Sequence, residues 1–245
     1  MPEKAKLRAV LFDLDDTLYS TSSFAALARH RAVEAMVEAG LEVSVEEARA
    51  ELEEVVHEFS SNYSHHYEKL LLRFPGRLRA GVHWAVVVAA GVVAYHDTKS
   101  SELKPFPDAG RAIKGLKAMN LLLGVVSDGI TVKQAEKLVR LGLSDAFSPD
   151  AIFISEDMGV SKPNPKLFKM ASKRIGVEPK EVLYVGDNPQ NDIDPAHEAG
   201  MWTCLRRGSG KYASHTGRHS PDIETRDLGS LPDVVRDLFD VGGAQ

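Results

Sequence analysis

Hydrophobic and polar residues follow two different patterns along the chain, and the pattern changes twice. Residues 9–12 are four consecutive apolar residues, which are typical of a strand buried in a parallel sheet. From about residue 20 to about residue 100, apolar residues recur at helical spacing, which predicts an all-helical segment with no strand. The four helices are predicted at residues 22–39, 45–61, 65–74 and 78–96.

Beyond residue 104, short apolar runs alternate with amphipathic segments, which predicts parallel strands joined by right-handed helical crossovers. Strands are predicted at residues 121–126, 152–154, 182–185 and 202–205. Helices are predicted at residues 131–141, 165–175, 195–199 and 231–239. Residues 208–221 lack periodicity and are expected to form a surface loop, and residues 241–245 are expected to fray.

The two patterns together predict an α/β fold class. A doubly wound, parallel-sheet, Rossmann-like core would comprise residues 1–20 and 101–245, and an all-helical domain would comprise residues 21–100. In sheets of this kind, ligands bind beyond the carboxyl ends of the strands. The residues that follow each strand are therefore the candidates for a functional site.

Composition narrows the classes of function. The chain has 245 residues, of which 43% are hydrophobic, so it can bury a substantial core. Its net charge of −5 offers no basic footprint, so we predict no nucleic-acid partner. The longest apolar run, residues 84–95, is shorter than the about 20 residues that span a bilayer, which predicts a buried helix and no membrane association. A single cysteine, Cys204, and no recognisable signal peptide favour the cytoplasm.

Three carboxylates, Asp13, Asp15 and Asp16, directly follow the first predicted strand or lie within four residues of its end. Two carboxylates ~4 Å apart repel each other by roughly 4 kcal/mol at an effective dielectric constant of about 20. Such a cluster persists only when a cation offsets the charge. The cluster therefore predicts a bound divalent metal ion.

The later strands are also followed by polar residues. Ser127 follows the second strand within the turn Ser127-Asp128-Gly129, whose hydroxyl and amide groups are suited to an anion. Lys162 lies in the loop after the third strand, and Asp187 and Asp192 follow the fourth. Asp16 and Asp128 are interpreted mainly as turn residues.

The order of these residues resembles the haloacid dehalogenase (HAD) superfamily of hydrolases, which form an aspartyl-phosphate. The chain carries the superfamily's Asp-x-Asp-x-Thr motif, its Ser/Thr motif, its lysine and its Gly-Asp-x-x-x-x-Asp motif. The matching residues are Asp13, Asp15 and Thr17, then Ser127, then Lys162, and then Gly186, Asp187 and Asp192. The helical insert resembles the cap domain of one branch of the superfamily.

The resemblance implies a magnesium-dependent phosphatase that hydrolyses a small phosphorylated metabolite of the sugar, triose or glycolate phosphate class. Asp13 would be the nucleophile and Asp15 the general acid and base. Ser127 and Lys162 would bind the phosphoryl oxygens, while Thr17 would orient the loop. The implied Mg²⁺ ligands are Asp13, the backbone carbonyl of Asp15, Asp187 and, directly or through water, Asp192.

Asp15 separates two activities within the resemblance. Dehalogenases of the superfamily lack an acid at this position because a halide leaves unprotonated, whereas an alkoxide leaving group needs a proton. Two alternatives stay open from the sequence: a phosphomutase acting on a sugar phosphate, and a non-enzymatic binding protein that retains the fold. Both a monomer and a homodimer are compatible with the sequence.

Overall fold

The computed structural model describes residues 4–60, 63–208, 212 and 214–241. The chain divides into two compact units: unit 1 comprises Met1–Thr21 and Lys104–Gln245, and unit 2 comprises Ser22–Leu103. None of the helices within the described ranges has the length and apolar content needed to cross a membrane.

The strands and helices alternate in unit 1, whereas unit 2 is helical. The strands are β1 (Ala5–Lys6), β2 (Ala9–Phe12), β3 (Leu122–Ser127), β4 (Ile152–Ile154), β5 (Val182–Gly186), β6 (Trp202–Arg206), β7 (Ile223–Thr225) and β8 (Phe239–Asp240). The α-helices are α1 (Thr21–Ala39), α2 (Val45–Phe59), α3 (His66–Leu72), α4 (Trp84–Glu102), α5 (Pro107–Lys117), α6 (Thr131–Arg140), α7 (Ser155–Met158), α8 (Pro165–Ile175), α9 (Asp194–Glu198) and α10 (Leu231–Leu238).

Unit 1 is organised around a parallel sheet whose strands, in the described part of the chain, stand in the order β4-β3-β2-β5-β6-β7. All residues of β2 are buried because the strand is apolar and lies between β3 and β5. Helix α8 packs Leu167, Phe168 and Ala171 into the same core cluster as Tyr184 of β5. The expected doubly wound α/β fold is confirmed.

The strand order places a topological switch point beside β2. The chain passes from β2 to β3 and β4 on one side, and it then returns to β5 on the other side. Phe12 is paired with both Val125 of β3 and Val185 of β5. This register brings the residues that end or follow these three strands to one edge of the sheet, where such folds bind their ligands.

Unit 2 has its own hydrophobic core, formed by residues from α1 to α4. Met36 of α1, Leu52 of α2, Leu70 of α3 and Val87 of α4 are buried in one cluster. Helix α2 begins where the Ser44 hydroxyl accepts a hydrogen bond from the Glu47 N–H, at 3.1 Å. The four predicted helices of this segment are confirmed, although several of their ends differ.

Helix α4 departs from prediction in its start and in its burial. It begins at Trp84 rather than at residue 78, because the His83 ring caps the Ala85 N–H and Leu78 instead forms an antiparallel bridge with Leu41. Residues 84–95 are helical, but the expectation that this segment is buried was wrong for one part of the helix surface. Trp84 is 51% exposed, whereas Val87 is fully buried.

The C-terminal part of unit 1 contains a strand that the sequence pattern did not predict. Residues 202–205 were expected to form the last strand, but β7 pairs in parallel with β6 beyond it. The predicted helix 231–239 ends at Leu238, and Phe239 begins β8, which pairs with β1. Parts of three predictions lie outside the described residues: residue 61 of the second helix, residues 209–211 and 213 of the surface loop, and residues 242–245 of the fraying end.

Candidate active site

Asp13 lies at the centre of the edge at which the strands end. Its backbone N–H donates to the carbonyl oxygen of Val185 at 2.9 Å, so the pairing of β2 with β5 continues into Asp13. Its carboxylate is buried, and Oδ1 accepts a hydrogen bond from Nζ of Lys162 at 2.7 Å. Burial and the charges of Asp192 and Asp15 raise the pKa of Asp13 to about 7, although Lys162 opposes this rise.

Three carboxylates converge at this edge. One oxygen from each of Asp13, Asp187 and Asp192 lies within 4.8 Å of the other two. Burial, together with the neighbouring charges of Asp192 and Asp13, raises the pKa of Asp187 to about 8. The ammonium group of Lys162 contacts Asp13 and Asp192, and one positive charge does not balance three carboxylates. This set of hard oxygen ligands fits a divalent cation.

The turn after β5 holds Asp192 in the cluster. Asn188 caps this turn by accepting hydrogen bonds from the backbone N–H groups of Gln190 and Asn191, at 3.0 and 3.2 Å. The Asn188 N–H in turn donates to Oδ2 of Asp192 at 3.0 Å. Gly186 is required beside it, because a Cβ atom there would lie 2.5 Å from the Asp192 side chain.

Asp192 is already held by several donors within the described part of the chain. Its Oδ1 accepts hydrogen bonds from Nζ of Lys162 at 2.6 Å and from the hydroxyl of Tyr184 at 3.1 Å. The contact recorded for Asp187 in the same region is a longer one, 3.5 Å from the Thr17 hydroxyl. Of the two carboxylates that follow β5, Asp187 is therefore the one held less closely by hydrogen-bond donors of the described residues.

Lys162 reaches the cluster from the loop after β4. Its backbone N–H donates to Oδ1 of Asp128 at 3.0 Å, which ties this loop to the turn after β3. Burial alone would lower the pKa of Lys162, but Asp13 and Asp192 raise it well above its ordinary value. Lys162 is thus a buried, charged ammonium group between two of the carboxylates.

The side chain of Asp15 faces Lys137 of α6. Nζ of Lys137 lies 2.7 Å from Oδ1 and 2.8 Å from Oδ2 of Asp15. The hydroxyl groups of Tyr19 and Thr21 also donate to Oδ1. Burial would raise the pKa of Asp15, but the Lys137 charge and the hydrogen bonds outweigh burial and lower it.

Two hydroxyl groups complete the edge. Ser127 ends β3, is buried, and accepts a hydrogen bond from Nε2 of Gln134 at 3.1 Å. The Thr17 hydroxyl lies 3.4 Å from Oδ2 of Asp13 and 3.5 Å from Oδ1 of Asp187. Thr17 thereby bridges the carboxylates that follow β2 and β5.

The structure places all the predicted site residues in unit 1, but it adds residues that the sequence did not indicate. Gln134 and Lys137 of α6 contact Asp15, and Tyr184 of β5 contacts Asp192. The spacing of Gln134 and Lys137, three residues apart, puts them on one helix face. No recognised motif marks that face, and Tyr184 lies within a run that reads simply as a buried strand.

Known proteins resemble this chain over most of its length. The sequence profile of the family described as haloacid dehalogenase-like hydrolase matches residues 7–200. A glyceraldehyde 3-phosphate phosphatase from Methanopyrus kandleri is 47% identical over 238 residues, which cover 95% of this chain and 98% of that protein. The enzyme of the same name from Methanocaldococcus jannaschii is 39% identical over 232 residues, with the same two coverages of 95% and 98%.

Solved structures show the same fold. The crystal structure of a HAD phosphatase from Thermococcus onnurineus matches with a TM-score of 0.62 and 25% identity, covering 94% of this chain and 98% of that one. The profile match includes the residues of all four motifs at the carboxyl edge of the sheet. The chain therefore belongs to the haloacid dehalogenase-like hydrolase family.

Proposed function

We propose that this chain is a magnesium-dependent phosphatase that hydrolyses glyceraldehyde 3-phosphate through an aspartyl-phosphate on Asp13. The observation that carries the proposal is the buried cluster of Asp13, Asp187 and Asp192 around the ammonium group of Lys162. The names of the two relatives from Methanopyrus kandleri and Methanocaldococcus jannaschii support the triose phosphate as substrate.

The residues present fit a magnesium ion. Asp13, Asp187 and the backbone carbonyl of Asp15 would coordinate the ion. Asp192 would coordinate it directly or contact it through a water molecule. Carboxylate and carbonyl oxygens are the ligands that Mg²⁺ prefers. Burial and the charges of Asp192 and Asp13 raise the pKa of Asp187, and a bound cation would offset both effects. When bound, the ion supplies positive charge that offsets the carboxylates and the phosphoryl oxygens.

The side chains divide the reaction into two displacements. A carboxylate oxygen of Asp13 forms a bond to phosphorus while the bond from phosphorus to the ester oxygen breaks. Asp15 must hold a proton in the substrate complex, although its pKa is lowered in the structure, and it gives that proton to the departing alkoxide. Asp15 then takes a proton from water, whose oxygen bonds to phosphorus and displaces the Asp13 carboxylate. The products are the alcohol and inorganic phosphate, and both aspartates return to their starting state.

Ser127 and Lys162 are proposed to bind the transferred phosphoryl group. A hydroxyl and an ammonium group are donors suited to oxygens that carry negative charge in the transition state. Lys162 also offsets the charge of Asp13, so that the nucleophile and the anionic substrate can approach each other. We further propose that unit 2 is a cap domain and that the protein acts in the cytoplasm, as a monomer or a homodimer.

The proposal is tested by measuring phosphate release from glyceraldehyde 3-phosphate. We expect release when MgCl₂ is present and none after treatment with a chelator. Asp13→Asn should abolish it, because an amide cannot form the phosphoryl bond. Normal release by this variant, or release that is indifferent to magnesium, would contradict the proposal.

A comparison of substrates separates the proposal from its alternatives. Phosphoglycolate, glucose 6-phosphate and glucose 1-phosphate should be cleaved less efficiently than the triose phosphate. Isomerisation of a hexose phosphate without free phosphate would instead indicate a phosphomutase. Inactivity against every phosphoester in the presence of magnesium would leave a binding protein as the remaining interpretation.

A further inference from the structure

Gln134 is a buried amide on α6 that touches two of the proposed site residues. The residue is 3% exposed, and Nε2 lies 3.1 Å from Oγ of Ser127 and 3.3 Å from Oδ2 of Asp15. The same nitrogen also contacts the backbone carbonyl of Asp128, so its two hydrogens are shared among three acceptors. A carboxylate and a carbonyl only accept hydrogen bonds, so the nitrogen of the amide must face them.

Packing alone does not account for an amide at this position. With Nε2 facing Asp15, Oε1 of Gln134 is buried and has no hydrogen-bond partner among the described residues. An unsatisfied buried carbonyl costs free energy that an apolar side chain of similar shape would avoid. The contacts of Nε2 are therefore the feature that distinguishes glutamine from leucine here.

The contact with Ser127 fixes the role of its hydroxyl group. A serine hydroxyl has one hydrogen to donate and lone pairs that accept. Because Gln134 donates to the Ser127 oxygen, the hydroxyl hydrogen stays available for another acceptor. An oxygen of a phosphoryl group is such an acceptor.

Lys137 holds Asp15 from the same face of α6. It lies one helical turn beyond Gln134, and its ammonium group contacts both carboxylate oxygens, at 2.7 and 2.8 Å. Tyr19 and Thr21 donate to Oδ1 from the segment that follows β2. Donors from two elements thus fix the direction in which the Asp15 carboxylate points.

We propose that Gln134 and Lys137 are positioning residues for phosphoryl transfer. Gln134 orients the Ser127 hydroxyl group, and the two residues together aim the Asp15 carboxyl group, which exchanges the proton. The inference rests on the proposed phosphatase function. It assigns to α6 a part in proton transfer to the leaving group, a part that no motif of the sequence marks.

The test compares two esters whose leaving groups differ in their need for a proton. The alkoxide released from glyceraldehyde 3-phosphate must be protonated, whereas the nitrophenolate of p-nitrophenyl phosphate leaves without a proton. In both cases kcat/KM covers the steps up to departure of the first product. In Gln134→Leu and Lys137→Met, kcat/KM should fall at least about tenfold more for the triose phosphate than for the aryl ester.

Two further variants serve as controls. Lys137→Arg keeps a charged donor and should restore most of the ratio between the two substrates. Lys169→Met removes one positive charge from an exposed position of α8 and should change neither value of kcat/KM. Thermal unfolding of each variant shows whether it is folded. If Gln134→Leu does not fold, the test rests on Lys137→Met, which changes a half-buried side chain.

The outcomes separate this inference from the proposed function. Equal losses on both esters in Lys137→Met, whose replaced ammonium group contacts Asp15 rather than Ser127, or no loss in either variant, overturn the positioning roles while leaving the phosphatase intact. A wild-type chain that cleaves neither ester overturns the proposed function and this inference with it. A selective loss on the triose phosphate, rescued by Lys137→Arg, supports both.

Discussion

The ammonium group of Lys162 lies 2.7 Å from Oδ1 of Asp13, with both side chains shielded from solvent. This contact joins the loop after β4 to the residue that follows β2. A buried ion pair is costly to assemble, but it is far more costly to break on one side only, because the remaining charge stays buried. The pair therefore links the stability of unit 1 to its proposed chemistry.

Replacing Lys162 with methionine should both destabilise and inactivate the protein. Without the ammonium group, Asp13 and Asp192 lose their shared counterion, and we expect a loss of about 3–5 kcal/mol in the free energy of unfolding. Urea denaturation measures this loss, and Lys169→Met is the matched control. Magnesium should recover part of the stability but not the activity. Unchanged stability in Lys162→Met would argue against an uncompensated cluster.

The stability of the metal-free protein should fall as the pH rises. The pKa of Asp187 is raised from 3.8 to about 8, so in that range the folded chain binds a proton that the unfolded chain has lost. The free energy of unfolding then decreases with increasing pH. The raised pKa of Asp13 changes the stability in the same direction. The lowered pKa of Asp15 affects the stability only when the pH falls below about its ordinary value of 3.8.

Magnesium should stabilise the protein more at about pH 8 than at about pH 6, because metal ions compete with protons for the carboxylates. The measurement is the increase in Tm on adding MgCl₂ to chelator-treated protein, and we expect a few degrees at the higher pH. The amide introduced by Asp187→Asn cannot titrate, so this variant should show a weaker pH dependence of metal-free stability, with Asp13 supplying the remainder, and a smaller response to magnesium. An equal response at both pH values would contradict the raised pKa.

A single methyl group at Gly186 should displace Asp192. The added Cβ atom would lie 2.5 Å from the Asp192 carboxyl group, so that side chain has to move. We expect Gly186→Ala to lower kcat/KM at least about tenfold, since small misplacements near the chemistry are costly. Gly110→Ala is the control: it lies within α5 with open space around it, and it should stabilise the protein by about 0.5–1 kcal/mol. Full activity in Gly186→Ala would contradict the need for Asp192 at this position.

The sequence predicts the convergence at the sheet edge because strand ends are local features. Asp13, Ser127 and Asp187 each end or follow an apolar run, and parallel strands bring their carboxyl ends to one side. The register that pairs Phe12 with Val125 and Val185 completes this arrangement. The fold class is confirmed for the same reason, whereas the chemical roles of these residues stay predictions.

Other features depend on packing that no local pattern encodes. The contacts of Gln134 and Lys137 depend on how α6 is rotated about its axis above the sheet, and their polar side chains read as a solvated helix face. Strand β7 has three residues, of which only Ile223 is buried, so its pairing with β6 leaves little periodicity to detect. The start of α4 depends on the cap formed by His83, which is not among the residues preferred at an N-cap.

Removing the hydroxyl group of Tyr184 should separate the support of Asp192 from the packing of the core. This hydroxyl lies 3.1 Å from both Oδ1 of Asp192 and the backbone carbonyl of Val126, so its one hydrogen is shared between the two acceptors. The ring packs edge-on against Phe168. Tyr184→Phe keeps the ring and should cost about 1 kcal/mol in the free energy of unfolding.

The activity of Tyr184→Phe should fall by less than that of Gly186→Ala. Asp192 keeps its hydrogen bonds from Lys162 and from the Asn188 N–H, so the carboxyl group stays near its place. Tyr67→Phe, which removes a hydroxyl group from α3 in unit 2, is the control and should leave kcat/KM unchanged. The structure gives the Tyr184 hydroxyl only a supporting contact with Asp192. A larger loss of kcat/KM in Tyr184→Phe than in Gly186→Ala would contradict this and would mean that the hydroxyl takes a direct part in the reaction.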